Sequence, residues 1–145
     1  MMQDRRQGGF TLIEIMVVVV ILGILAALVV PTIMSRPDQA KATVARTDVN
    51  AIASALEMYR LDNGFYPSTE QGLDALVKEP SGSPEPRRWN PDGYLPKVPV
   101  DPWGHPYQYE VPGTHNTRSF DVYSLGADGR VGGDGINAEI GNWEE

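Results

Sequence analysis

Phe10-Thr11-Leu12-Ile13-Glu14-Ile15-Met16 begins an apolar segment that extends to about Met34 in this chain of 145 residues. At about 1.5 Å per residue the segment forms roughly 37 Å of helix, which is enough to cross a bilayer. The apolar region of a secretory signal is shorter, about 7 to 15 residues, and ends at a small-residue cleavage site. The length therefore predicts a membrane helix that is retained in the protein.

Glu14 and Pro31 are unusual in a plain membrane anchor. An ionised carboxylate is costly inside a bilayer and normally has a partner, although close to the end of a segment it can also reach the lipid headgroups. From the residues alone, both interpretations of Glu14 stay open. Pro31 lacks an N–H group and clashes with the preceding turn, which favours a kink or a local break in the helix.

The composition argues against several classes of protein. With 12 Lys and Arg against 19 Asp and Glu, the formal charge is −7, which disfavours binding to nucleic acid. There is no cysteine, so disulfide bonds and thiol chemistry are excluded. No nucleophile and base pair, phosphate-binding glycine loop or carboxylate dyad stands out, so we expect a protein that is not an enzyme.

The rest of the chain predicts a small α+β domain. A helical apolar stripe follows Pro37 and ends before Asn63-Gly64; its members are Ala45, Val49, Ile52, Leu56 and Tyr59. A capping-box pattern from Ser68 to Gln71 predicts a second, short helix. Eight prolines between residues 80 and 106 predict an irregular loop, and residues 107–111 and 120–125 alternate as an antiparallel hairpin.

Acidic and amide side chains alternate with glycines between Leu125 and Trp143. Such residues supply hard oxygen ligands on a flexible backbone, which suits Ca²⁺, but the spacing is not that of an EF-hand. From the residues alone, a solvated acidic turn is the preferred interpretation. His105 and His115 are ten residues apart and do not have the spacing of a pair on one helix face, which argues against a histidine metal site.

The segment from Gly9 to Glu14 resembles the class III signal of type IV pilins and type II secretion pseudopilins. This resemblance implies that a prepilin peptidase cuts after Gly9 and methylates the new N-terminal residue, Phe10. Residues 1–9 would then be a leader, 10–34 the transmembrane and assembly helix, and 35–145 a periplasmic domain. The resemblance further implies that Glu14 neutralises the α-amino group of Phe10 on a neighbouring subunit during assembly.

Over the whole chain the resemblance narrows to the G-type major pseudopilins of type II secretion. It rests on four segments: Glu70-Gln71-Gly72-Leu73, Asp101-Pro102-Trp103-Gly104, Ser124-Leu125-Gly126-Ala127-Asp128-Gly129 and Ile140-Gly141-Asn142-Trp143. The implied fold is type IV pilin-like: a long N-terminal helix, with a transmembrane first half, packed on a small antiparallel sheet, with a Pro-rich loop and a Gly/Asp-rich C-terminal loop.

The implied function is that of the major structural subunit of a periplasmic pseudopilus. The filament would help to push folded exoproteins through the outer-membrane secretin. Its expected partners are further copies of the chain, minor pseudopilins, the prepilin peptidase, the inner-membrane assembly platform and the secretion ATPase. The expected location is the bacterial inner membrane, crossed once, with the C-terminal domain in the periplasm.

Three alternatives remain at this point. A major type IV pilin usually closes a C-terminal loop with a disulfide, which this chain cannot form. A minor pseudopilin differs at the position of Glu14. A membrane-anchored, calcium-dependent binding domain would tolerate substitutions at Gly9 and Glu14.

The resemblance also implies a calcium site in the C-terminal loop. The ligands that it implies are the backbone carbonyls of Leu125 and Arg130, the carboxylate of Asp128, and an acidic pair just before Ile140. Here the sequence departs from the family pattern, because Ala138 and Glu139 occupy those two positions. We expect Glu139 to be the one ligand from this pair. Asp134 or Asn137 would then replace the missing carboxylate.

Overall fold

A computed structural model describes residues 8–144, with side chains described for residues 8–29 and 37–144. The elements follow the order of helix α1 (Leu12–Asn63), a 3-10 turn (Leu73–Leu76), strands β1 (Gln108–Glu110) and β2 (Asp121–Ser124), a second 3-10 turn (Gly135–Asn137) and strand β3 (Ile140–Gly141). The chain divides after Pro37 into two compact units. Most of the predicted leader lies outside the described residues.

Helix α1 begins with the predicted apolar segment. Its stretch Leu12–Val29 is long and apolar enough to cross a membrane, and none of that stretch is buried within the protein. Helix α1 continues through both Pro31 and Pro37, so the local break that Pro31 favours is not found. Gly64, with φ of 85°, follows the last residue, and its N–H donates to the Arg60 carbonyl at 2.7 Å.

The predicted helical stripe forms the core of the C-terminal unit. All five of its residues are at most 1% exposed. Four of them, Val49, Ile52, Leu56 and Tyr59, belong to one cluster with residues of the first 3-10 turn and of the hairpin, which include Leu73, Leu76, Tyr107, Phe120 and Val122. Burial of one face is what stabilises a helix of this pattern, and the stripe prediction is confirmed.

The sheet is antiparallel with the order β1-β2-β3. Gln108 pairs with Tyr123 and Glu110 with Asp121, so the predicted hairpin is confirmed. Strand β3, in which Ile140 pairs with Ser124, was not predicted because two residues carry no periodic signal.

The predicted second helix is only partly right. The capping box forms as expected: Ser68 N–H donates to Gln71 Oε1 at 2.9 Å, and Gln71 N–H donates to Ser68 Oγ at 3.1 Å. Gly72 then adopts φ of 64°, and a single 3-10 turn follows instead of an α-helix. The left-handed glycine redirects the chain after the box, because an α-helix cannot continue through that conformation.

The proline-rich segment is irregular, as predicted, apart from one isolated bridge between Val100 and Pro106. Two of its aromatic residues hold it to the core. Trp89 Nε1 donates to the Ala75 carbonyl at 2.9 Å, and the Tyr94 ring lies 5.3 Å from that of Tyr59.

Candidate functional site: the helix N-terminus and the C-terminal loop

The first turn of α1 is closed by a second capping box. Glu14 Oε2 accepts the Thr11 N–H at 3.0 Å, and the Glu14 N–H donates to Thr11 Oγ1 at 3.3 Å. The reciprocal pair satisfies two backbone N–H groups that have no partner within the helix. The carboxylate also lies at the N-terminal end of the helix, where a negative side chain stabilises the helix through its dipole.

Glu14 lies at the side of an apolar groove. The groove has a volume of about 350 Å³ and is lined by Phe10, Glu14, Ile15, Val18 and Val19. A carboxylate in this position remains exposed while apolar surface flanks it on the same helix face. The role of Thr11 was missed in the sequence, although the spacing Thr11-x-x-Glu14 is the signal of a capping box.

The C-terminal loop brings together two of the predicted calcium-binding segments. Gly126 has φ of 84°, and a Cβ there would lie 2.8 Å from the carbonyl oxygens of Asn137 and Ala138. The Ala127 N–H donates to the Ile136 carbonyl at 2.9 Å. The start of the loop, next to Leu125, is therefore packed against its end, next to Glu139.

The predicted calcium ligands are partly engaged by the loop backbone. Asp128 Oδ1 accepts the Arg130 N–H at 3.1 Å, and Glu139 Oε1 accepts the Gly132 N–H at 3.2 Å. The Asp134 carbonyl accepts the Asn137 N–H at 3.2 Å at the second 3-10 turn. In residues 8–144 no three Asp, Glu or His side chains come together as a metal cage.

A calcium ion nevertheless fits the chemistry of this donor set. Calcium takes six to eight oxygens and accepts backbone carbonyls and amides together with carboxylates. The loop offers all three kinds on two chain segments that its glycines allow to approach closely. The predicted site depends on carbonyls as well as on side chains.

A buried carboxylate lies behind this loop, and no pattern in the sequence indicates its burial. Asp101 is 4% exposed, and its Oδ1 accepts the N–H groups of Trp103 at 3.1 Å and His105 at 2.7 Å. Its Oδ2 accepts the Ser124 hydroxyl at 2.7 Å, and Ser124 Oγ accepts the Gly126 N–H at 3.1 Å. A chain of hydrogen bonds thus runs from the proline-rich segment to the start of the C-terminal loop.

A second buried carboxylate, Asp121, holds the hairpin turn. Its Oδ2 accepts the His115 N–H at 2.7 Å and lies 3.2 Å from His115 Nδ1. Its Oδ1 accepts the backbone and side-chain N–H groups of Asn116, both at 3.0 Å. Burial by itself raises the pKa of Asp121, but the hydrogen bonds from His115 and Asn116 outweigh it, and the pKa lies below its usual value.

The chain end is fixed to the same turn and to β2. The Trp143 ring stacks on His115 with 3.8 Å between centroids and 11° between planes. The Asn142 side chain acts like strand backbone: its Oδ1 accepts the Val122 N–H at 3.0 Å, and its Nδ2 donates to the Phe120 carbonyl at 3.0 Å. The C-terminal loop is therefore closed on itself without a disulfide.

A long helix with an apolar N-terminal part and a small antiparallel sheet define a type IV pilin-like fold. A family model described as type II secretion system (T2SS), protein G, matches residues 32–143. A second, described as the prokaryotic N-terminal methylation motif, matches residues 4–30. The chain therefore belongs to the type II secretion protein G family, and its function is that of a major pseudopilin.

Individual relatives agree with the family models. The chain is 70% identical to the type II secretion system core protein G of Pseudomonas aeruginosa over 143 residues, which are 99% of each chain. It is 53% identical to the protein of that name from Vibrio cholerae, over 99% of this chain and 96% of the relative. The crystal structure of the major pseudopilin of enterohaemorrhagic Escherichia coli is 44% identical, with a TM-score of 0.68, over 76% of this chain and 88% of that one.

Proposed function

We propose that the chain is a structural, non-catalytic subunit that is cut after Gly9, methylated on Phe10 and polymerised into a periplasmic filament. In this proposal residues 1–9 are the leader, residues 10–34 anchor the precursor in the inner membrane, and the C-terminal domain from residue 35 faces the periplasm. Polymerisation would involve minor pseudopilins, the assembly platform and the secretion ATPase, and the filament would help to move folded exoproteins through the secretin. The match of residues 4–30 to the methylation motif carries the proposal.

Glu14 then has two roles at different stages. In the single subunit its carboxylate caps α1 through Thr11. In the filament it would neutralise the α-amino group of Phe10 on the neighbouring subunit, whose apolar helix would cover the groove beside Glu14. Such a charge pair favours the correct register, because slipped helices would leave both charges unpaired in apolar surroundings.

Two substitutions at Glu14 separate these roles. In Glu14→Gln the amide oxygen can still accept the Thr11 N–H, so the cap is retained while the charge is removed. Glu14→Ala removes both. We expect both variants to be processed at Gly9, as shown by mass spectrometry of a methylated Phe10 terminus, and both to lose filament formation in a cross-linking assay.

The exposed Glu70 supplies the control, since Glu70→Gln should assemble like the wild type. Wild-type assembly by Glu14→Gln, with Glu14→Ala defective, would show that Glu14 acts only as a cap. An unprocessed N-terminus in the wild type would refute the prepilin interpretation itself.

We further propose that the C-terminal loop binds one calcium ion. Leu125 and Arg130 would contribute carbonyls and Asp128 and Glu139 carboxylates, with Asp134 or Asn137 completing the set. The close packing of Gly126 on Asn137 and Ala138 supports this proposal, because it holds the two ligand segments together. When bound, the ion would tie the glycine-rich loop to the sheet.

Calorimetry of the full chain in detergent tests this second proposal. Calcium should raise the melting temperature of the C-terminal unit relative to protein in chelator, because a ligand that binds only the folded state stabilises it. Asp128→Asn should reduce the rise, whereas the exposed Asp92→Asn should not. Equal melting temperatures of the wild type with calcium and with chelator would rule out the site.

A further inference from the structure

The turn from Asp101 to His105 lies directly behind the first half of the C-terminal loop. At one end of that half, Ser124 links the Asp101 carboxylate to the Gly126 N–H through bonds of 2.7 and 3.1 Å. At the other end, a Cβ on Gly129 would lie 2.8 Å from Nε2 of the His105 ring. The segment from Leu125 to Arg130 is thus linked to this turn at two points, through Ser124 at Gly126 and directly by His105 at Gly129.

We propose that Asp101 and Ser124 are positioning residues that set the Leu125–Arg130 backbone in its calcium-binding conformation before the ion binds. His105 supports the same segment from behind Gly129. This inference rests on the proposed calcium function of the loop and adds residues that are not themselves ligands. The two carbonyls assigned as ligands, those of Leu125 and Arg130, lie at the ends of the segment that is held.

The turn is well suited to this role because it is itself fixed. Asp101 accepts two backbone N–H groups of its own turn, its N–H donates to the His105 carbonyl at 2.9 Å, and the Gly104 N–H donates to the Asp101 carbonyl at 2.9 Å. Its remaining carboxylate oxygen is directed to Ser124, and both side chains are buried. Partners behind the ligands commonly orient them in metal sites, and an ordered backbone reduces the entropy lost on binding.

Ser124 is important for the loop conformation because a glycine, at position 126, has more backbone freedom than other residues. Glycine has the largest conformational freedom in the unfolded or open chain, and Gly126 must adopt φ of 84° in the loop. The hydroxyl of Ser124 fixes its N–H group. Without that acceptor, we expect the Leu125 carbonyl to sample several directions in the metal-free protein.

Calcium titration of the full chain in detergent, after removal of metal on a chelating resin, tests the proposal. We expect Ser124→Ala to bind calcium about tenfold or more weakly, because a buried donor and a buried acceptor lose their partner. Asp101→Asn can keep a hydrogen bond to Ser124 with the donor and acceptor exchanged, so we expect its affinity within about threefold of the wild type.

Thr69→Val is the matched control. Thr69 Oγ1 also makes two hydrogen bonds with strand-end backbone, both to Val111, but it is remote in sequence from the loop and outside the Asp101 network. The Thr69→Val variant should have a changed melting temperature and the calcium affinity of the wild type. If Ser124→Ala fails to fold in chelator, His105→Ala takes its place, since that ring is about one third exposed.

Hydrogen exchange in chelator gives a readout that does not depend on the metal. The amides of residues 125–130 should exchange faster in Ser124→Ala than in the wild type and in Thr69→Val. Equal exchange, or equal calcium affinity of the wild type and a folded Ser124→Ala, would overturn the positioning role and leave the calcium site intact. Failure of the wild type to bind calcium would refute the calcium function, and with it this inference.

Discussion

Replacing Asp121 by Asn should unfold the C-terminal unit at a lower temperature, although the two side chains have nearly the same shape. Oδ1 accepts both N–H groups of Asn116, and Oδ2 accepts the backbone N–H of His115 and lies 3.2 Å from its ring Nδ1. An amide has only one oxygen. If its NH2 group is turned toward Asn116, two donors lose their acceptor; if it is turned toward His115, the backbone N–H loses its acceptor, while the ring Nδ1 can accept from the NH2 group in its other tautomer.

The loss of at least the backbone bond from His115 sets the magnitude. A buried group that loses its partner costs about 1–3 kcal/mol, so we expect a loss of about 1–3 kcal/mol in the free energy of unfolding. For a unit of about 100 residues this lowers the melting temperature by at least about 4 °C. Calorimetry and urea unfolding of the full chain in detergent, with Asp92→Asn as the exposed control, measure both quantities.

The pH dependence gives an independent check on the same carboxylate. Because the pKa of Asp121 is lowered in the folded state, its charge stabilises the protein above the unfolded-state pKa of about 3.9, and this contribution is lost as the pH falls through the folded-state pKa. The wild type should therefore lose more stability than Asp121→Asn on acidification below about pH 5. A loss under about 1 kcal/mol at pH 7, or parallel acid profiles, would refute the reasoning.

Further predictions use matched pairs of residues. Tyr59→Phe should leave the stability at pH 7 unchanged or raise it by up to about 1 kcal/mol, because the Tyr59 hydroxyl is buried without a hydrogen-bond partner among the described residues. Burial also raises the pKa of Tyr59 to about 12, so the wild type should lose more stability than Tyr59→Phe as the pH rises from about 10 to 12. Tyr107→Phe should instead lose about 1 kcal/mol in urea unfolding, because its hydroxyl donates to Asp48 Oδ2 at 2.8 Å. Gly126→Ala should cost more than Gly64→Ala in the same assay: both glycines have positive φ, but only Gly126 has a backbone oxygen within 2.8 Å of the added Cβ. Equal losses for the two glycines would show that φ alone, and not the contact, limits Gly126.

The parts of the fold that could be predicted from the sequence are those in which burial imposes a period. The stripe from Ala45 to Tyr59 is confirmed, because a helix face must bury every third or fourth side chain. The antiparallel pairing of the hairpin is also confirmed, although burial does not alternate along β2, where Asp121, Val122 and Ser124 are all buried. The prediction of a short helix after Ser68 was wrong in the type of helix, since a 3-10 turn forms instead of an α-helix. A cap fixes only the first turn and does not determine the conformation of the next residues. The positive φ of Gly72 determines it instead.

The sequence predicts the N-terminal motif of the candidate site but not its buried carboxylates. The residues from Gly9 to Glu14 form a contiguous pattern, whereas Asp101 and Asp121 look like ordinary surface acids in a chain with 19 acidic residues. Their burial depends on N–H donors from neighbouring turns, which meet only in the folded chain. The pattern Asp101-Pro102-Trp103-Gly104 does signal a turn, but not that its carboxylate also bonds a serine on a strand.

The small size of the sheet has a consequence for the filament proposed above. Its outer strands have three and two residues, and β1 lies between Pro106 and Pro112, neither of which has an N–H to offer an incoming strand. Beyond β3, the Asn142 amide occupies the hydrogen-bonding groups of Phe120 and Val122. Exposed sheet edges are where crowded proteins aggregate, and short, blocked edges prevent it. In the proposed filament, neighbouring copies of the domain would therefore lie side by side without their sheets pairing edge to edge.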